Sequence, residues 1–302
     1  MKVNQDYEEE SWKVALRKNL ISIVSGKEKG NENLYTDVGI CYQCYAPASL
    51  FKYYSDCNQN LETVKANKMW YSAPCCFNDV FDCDIMINDD KLFDSILEIC
   101  PSIKGFRKGS PMWLELKSQA KKSSRELEQM FANMRSKMGI TCMSELDNSL
   151  LMWAHYANNH RGMCVEYNLL AINKQLNFTP IPIIYSNDRV CFESLNTNTV
   201  ELDATKLFVE GLTSKSLEWN YEKEWRIIRD DSACGDKWDD VNKGALLESI
   251  RPSSIILGCE ANKDFENEVH EHCNTNKINL FKMEKDRYHY QLNKKTILKF
   301  DD

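Results

Sequence analysis

The chain contains no GxxxxGK[ST] loop, no GxGxxG and no GxSxG. Their absence removes the phosphate-cradling loops of P-loop kinases, the dinucleotide turn of Rossmann dehydrogenases and the nucleophile elbow of α/β-hydrolases. Long apolar runs are missing as well. The longest, "IPIIY" (181–185) and "SIILG" (254–258), have the length of strands, far short of the roughly 20 residues that cross a bilayer. The opening "MKVNQDYEEESWK" carries three consecutive glutamates where a secretion signal carries a basic and then an apolar stretch, so a cytoplasmic location is expected. No internal repeat is visible. An excess of positive charge is lacking too: the net charge of −7 disfavours a protein that coats nucleic acid. The seven basic residues gathered in 104–125 read first as the solvated face of a helix and second as a phosphate contact.

Cysteine, by contrast, is abundant. The 13 cysteines of this 302-residue chain are odd in number, scattered and mixed into apolar segments, which reads as reduced core thiols. Cys41 and Cys44 form one CxxC pair, followed by Cys57, Cys75, Cys76 and Cys83. A structural zinc site needs a second tight pair, so no bound metal and no resident cofactor is expected.

The patterning gives an organisation. Trp12, Leu16, Leu20 and Ile23 recur at helical spacing up to Gly26, so an amphipathic helix leads. "SLFKYYS" and "KMWYSA" read as strands around a short helix opened by Asn60. Residues 89–100 and 113–138 read as helices and "GITCMS" as a buried strand. "IPIIYS", "EKEWRII", "SSIILG", "INLFKM" and "TILKF" supply five more strands, with helices near 202–217 and 263–272. Unequal helices and long loops between strands predict an α+β fold. Its expected form is a mixed, largely antiparallel sheet with flanking helices: a helical extension over 1–45, then a single domain over 46–302.

Three segments concentrate chemistry. In "LLMWAHYANNHRGMCVEYN" (150–168) a helix puts Leu151 and His155 on one face and Met152 and Tyr156 on the next, which predicts His155 close to the buried side. His155 and His160 either lock a helix-to-strand corner or line a pocket. In "YEKEWRII" a strand aligns Glu222, Glu224 and Arg226 on one face. That row is either an exposed charged face or a site in which one acid acts beside a guanidinium. In "FNDVFDCD" Asn78, Asp79 and Asp82 read as a turn whose side chains bond their own backbone, or as a hard-cation site. The dense polar groups of His155, the turn at 78–82 and Glu224 are expected to converge within about 10 Å on one cleft.

"LFKYYS", "NKMWYSAPCCFNDVFDC", "MSELDNSLLMWAHYANNHRGMCVEYN" and "LEWNYEKEWRII" followed by "IILG" together resemble the bacterial family known as domain of unknown function 2971, over about residues 48–260. Tyr54 stands where that family usually has arginine, and Val80 where it has proline. Trp153, His155, Tyr156, His160 and Gly162 match its pattern. More distantly, the order of elements resembles ADP-ribosyltransferase-like domains. That resemblance implies NAD as a substrate, with Tyr71 stacking nicotinamide, Ser72 fixing the ribose or amide, and Glu224 holding a ribose hydroxyl as charge grows on the sugar. Lys52 or Tyr54 would stand in for the usual first basic residue. The function expected is therefore an ADP-ribosyltransferase-like enzyme or NAD glycohydrolase in bacterial stress or phage defence. Catalysis would fall to Glu224, His155 and Tyr71, and a macromolecule would serve as acceptor. A non-catalytic module that senses a nucleotide-like molecule or a protein, and a metal-dependent nuclease or phosphohydrolase, are the other readings.

Overall fold

The computed structural model describes residues 2–26, 32–99, 102, 105–192, 204–230 and 234–300. Positions 100, 202 and 203 of the expected helices lie outside them. In chain order the elements begin with α1 Lys2–Ser25, α2 Glu32–Tyr45, β1 Ser49–Tyr54, α3 Asn58–Lys65, β2 Lys68–Ser72, β3 Met86–Ile87, α4 Asp89–Ile99 and α5 Pro111–Arg135. They continue with β4 Gly139–Ser144, α6 Leu150–Tyr156, β5 Met163–Asn168, α7 Leu169–Leu176, β6 Ile181–Pro182, β7 Ile184–Ser186 and β8 Cys191–Phe192. The last are α8 Ala204–Leu212, β9 Ser214–Ser216, β10 Glu224–Arg229, β11 Trp238–Asp239, β12 Gly244–Glu248, β13 Ser254–Leu257, α9 Lys263–Asn276, β14 Asn279–Lys285 and β15 Leu292–Leu298. The fold class is α+β, as the pattern of strands and helices predicts.

The chain divides into two compact units. The first comprises 1–45, 74–137 and 184–217, and the second 46–73, 138–183 and 218–302. The expected boundary after residue 45 is also a unit boundary, but the N-terminal helices share their unit with two later segments.

In the first unit, Ser110 caps α5 by accepting from the Trp113 amide, with Pro111 at its first position. Both features suit a helix start. Ile85, Ile87, Leu92, Phe131, Phe192 and Leu207 form its apolar cluster around the short pair β3–β8. A second short pair, β7–β9, is parallel like the first.

The second unit is built on an eleven-stranded sheet in the order β11-β12-β2-β4-β1-β5-β13-β14-β15, with β10 also on β4 and β6 on β10. All its pairings are antiparallel except β13–β14. That parallel pair is joined through α9, because parallel neighbours need a crossover. β4 is the branch point. β10 pairs with its whole length, whereas β1 meets it only at Ser144 and β2 only at Ile140. Trp153, Cys164, Ile256 and Met283 anchor the core beneath α6.

Four local expectations change. α3 starts at Asn58 after Cys57, and Asn60 spends its side chain on Ser55. "IPIIYS" splits at Ile183: β6 joins the large sheet while β7 pairs with β9. The helix expected to 217 ends at Leu212 and yields to β9. Glu222 lies in a 3-10 turn, Leu217–Glu222, and not on the strand.

Candidate functional site

The loop after β4 fixes several polar side chains of the second unit. Ser144 Oγ donates to the Glu222 carbonyl (2.6 Å) and accepts from the Leu146 amide (3.0 Å). The Leu146 carbonyl accepts from Tyr53 (2.8 Å), and the Asp147 carbonyl accepts from the Trp153 indole (2.7 Å). Glu145 accepts from the Trp225 indole at 2.7 Å. Buried Trp and Tyr need partners for their polar tips, and one short loop provides three. Trp153, one of the residues that match the family pattern, is thus a fully buried anchor and not an exposed binding residue.

Two acids flank this loop. Glu224 and Arg226, two apart on β10, share a face and form a bidentate pair (Nε to Oε1 2.6 Å, Nη2 to Oε2 3.1 Å). Both are buried, so the exposed-face reading of the row is wrong. The fork geometry satisfies charges that would be costly to bury alone. Glu222, also buried, accepts from the Tyr156 hydroxyl at 2.5 Å. It leaves the strand row because Lys223 takes a left-handed conformation, φ 44°, which turns the chain before β10 begins.

Tyr156 leads to a run of rings. Trp219 and Tyr221 have centroids 6.0 Å apart, Tyr221 and His155 6.2 Å, and His155 and Tyr156 6.3 Å. His155 is exposed, as is Leu151 on the same helix face, while Met152 is buried. This corrects the expected orientation: the Leu151–His155 face points outward because Met152 and Trp153 enter the core. The result is a partly exposed aromatic shelf backed by a carboxylate. Trp219 and Glu145 escaped the sequence reading, since nothing in "LEW" or "SEL" marks them apart from ordinary loop residues.

Lys52, Tyr54 and Tyr71 belong to the opposite face of the sheet, by the register β1 to β4 to β10 and the alternation of side chains. The Lys52 ammonium donates to the Cys142 carbonyl at 3.1 Å, between the points where β1 and β2 meet β4. Burial lowers its proton affinity, and Cys142 and Glu224 push it back up. Tyr54 and Tyr71 are buried. Burial raises the pKa of Tyr71 to about 12, and Arg229, over its ring at 4.7 Å, opposes the rise. The buried Tyr54 hydroxyl has no hydrogen-bond partner among the described residues, and burial, with Tyr167 adding to it, holds its pKa far above the ordinary tyrosine range. Ser72 accepts from the Trp70 indole at 2.9 Å. The three nominated catalytic residues therefore occupy three settings: His155 on the shelf, Glu224 in a closed ion pair, and Tyr71 inside the core of the other face.

His160 ends a run of three left-handed residues, Asn158 (φ 45°), Asn159 (φ 53°) and His160 (φ 66°). Asn tolerates this region and His less so. The His160 amide donates to the Trp153 carbonyl and its own carbonyl accepts from Glu260. Its backbone joins the helix-to-strand corner, whereas its buried side-chain Nδ1 has no hydrogen-bond partner among the described residues. Glu166 accepts from Ser254 Oγ at 2.5 Å.

Asn78, Asp79 and Asp82 belong to the first unit. Asp79 Oδ1 accepts from the Phe81 amide at 2.9 Å, and Asp82 pairs with buried Lys215 at 3.4 Å. Asn78 is exposed. The segment is a self-bonded turn tied down by a lysine. Among the described residues no group of three His, Cys, Asp or Glu is placed to hold a metal ion, and no helix is long and apolar enough to cross a membrane.

A family model described as "Protein of unknown function (DUF2971)" matches residues 152–227. The matched segment runs from α6 to β10 and so carries His155, Tyr156, Trp219, Tyr221, Glu222, Glu224 and Arg226. Neither curated proteins nor solved structures yield a match.

Proposed function

We propose that this chain binds a nucleotide-like small molecule on the aromatic shelf and acts as a sensor module. One observation carries the reading: four neighbouring rings, Trp219, Tyr221, His155 and Tyr156, stand partly exposed with Glu222 behind them. Exposed rings stack flat heterocycles, at about 1–3 kcal/mol per base, and the buried Glu222 behind them fixes Tyr156 through its hydroxyl. Catalysis by Glu224 has less support, because that acid already serves a buried guanidinium. A second reading, cleavage of NAD, draws on Glu222, which lies closer to the rings than the strand row implies. No metal enters either reading. A setting in bacterial stress or phage defence is part of the proposal through the family resemblance alone.

The test is titration of the full chain with NAD, followed by Trp fluorescence, with nicotinamide release measured in the same samples. Saturable quenching without release, lost in Trp219→Ala, is the expected result. Release of nicotinamide that Glu222→Gln abolishes would move the chain to the NAD-cleaving class. Absence of any binding to NAD, ATP or AMP would end the nucleotide reading.

A further inference from the structure

A cleft of about 610 Å³ opens in the second unit where β5, β13 and β14 lie side by side; its walls include Glu166, Arg251, Ser253, Lys277, Phe281 and Phe300. Register puts Glu166, Ser254 and Asn279 next to one another across three strands. The volume falls within the range of small-molecule sites.

The charges of this cleft differ from those around it. On β14 and β15, Lys282 pairs with Glu266, Lys285 with Glu260, Lys294 with Asp147 and Lys295 with Glu284. Arg251 and Lys277 have no carboxylate partner among the described residues. Arg251 Nη2 donates to the carbonyls of Asn276 and Lys277 at the end of α9, which fixes the guanidinium while Nε and Nη1 keep donor capacity. Lys277 holds its ammonium 5.0 Å from the Phe300 ring centroid. Glu166 receives Ser254 on Oε2, so Oε1 still has acceptor capacity.

We propose that this cleft takes a small organic phosphate bearing a flat ring. Arg251 and Lys277 bind the phosphate, Phe281 and Phe300 flank the ring, and Glu166 accepts from a hydroxyl or amine. A planar guanidinium beside an ammonium matches a phosphate's several oxygens better than it matches a neutral ligand. The cleft shares no lining residue with the aromatic shelf.

The experiment is calorimetric titration of the full chain with AMP, inorganic phosphate and adenosine. AMP is expected to bind with a Kd below about 1 mM and the two fragments at least about tenfold more weakly. Lys277 is the left-handed cap of α9, φ 54°, so Lys277→Gly keeps the helix end, where glycine is at ease, while deleting the charge. It should weaken AMP binding at least about fivefold, with an unchanged circular dichroism spectrum. Lys295→Gln, which removes an exposed charge paired with Glu284 outside the cleft, should leave this affinity alone. Equal AMP affinity of Lys277→Gly and wild type overturns the proposal, as does absence of AMP binding. So does loss of AMP binding confined to Trp219→Ala, which would assign the ligand to the shelf.

Discussion

Arg226 has no exposed surface and takes both oxygens of Glu224. Removing the negative charge leaves a buried cation short of its counter-ion, a change that typically costs 3–5 kcal/mol. Glu224→Gln is therefore expected to lower unfolding free energy by about 3 kcal/mol or more. A urea titration measures this; a value within about 1 kcal/mol of wild type would show that the guanidinium is held by other groups. The acid that reads from sequence as the catalytic candidate is thus engaged in holding the fold. Strand alternation made the Glu224–Arg226 pairing legible. It also placed Glu222 in the same row, and only the left-handed Lys223, a residue with no sequence mark for that conformation, takes Glu222 out of the row and toward Tyr156.

At the scale of elements, the periodic pieces were readable: β1, β2, β4, β10, β13 and β14 fall where alternating or continuous apolar residues place them. Breaks were not readable, because they depend on distant partners. Ile183 donates its amide to Glu224 while Ile184 donates to Thr213, so adjacent residues serve different sheets and "IPIIYS" cannot remain one strand. The junction of α6 and β5 shows the same dependence. A Cβ on Gly162 would lie 2.0 Å from the Tyr54 carbonyl oxygen and 3.0 Å from the Ser55 Cα. Backbone cannot yield as a flexible side chain does, so Gly162→Ala should destabilise by about 3 kcal/mol. Thermal melts check this, and a melting point equal to that of wild type would mean that β1 and β5 have room to separate there. Gly162 thus has a packing reason within a motif that otherwise invites a catalytic reading.

Across the whole molecule, the two compact units interleave along the chain, which hydrophobic periodicity does not reveal, since it reports neighbours in sequence and not the unit that each element joins. Electrostatic stability of the second unit should depend on two histidines. Burial lowers the pKa of His160, with Lys285 adding to the effect and Glu260 opposing it. Burial likewise lowers that of His272, with Lys65 adding and Glu62 opposing. Both side chains therefore bind protons more weakly folded than unfolded, where the reference pKa is about 6.5. Above that value both states are neutral and the preference costs nothing. As pH falls below about 6.5 the unfolded chain takes up protons first, so stability declines. The carboxylates Glu260, Glu266 and Asp286, whose pKa values are depressed, lose their contribution only nearer pH 4, which leaves the interval from about 6.5 to 5 to the histidines. Denaturant midpoints taken across that interval should fall steadily, and the double substitution His160→Gln with His272→Gln should flatten the slope. A wild-type midpoint that stays constant down to about pH 5 would mean that neither imidazole is disfavoured as a cation in the folded chain.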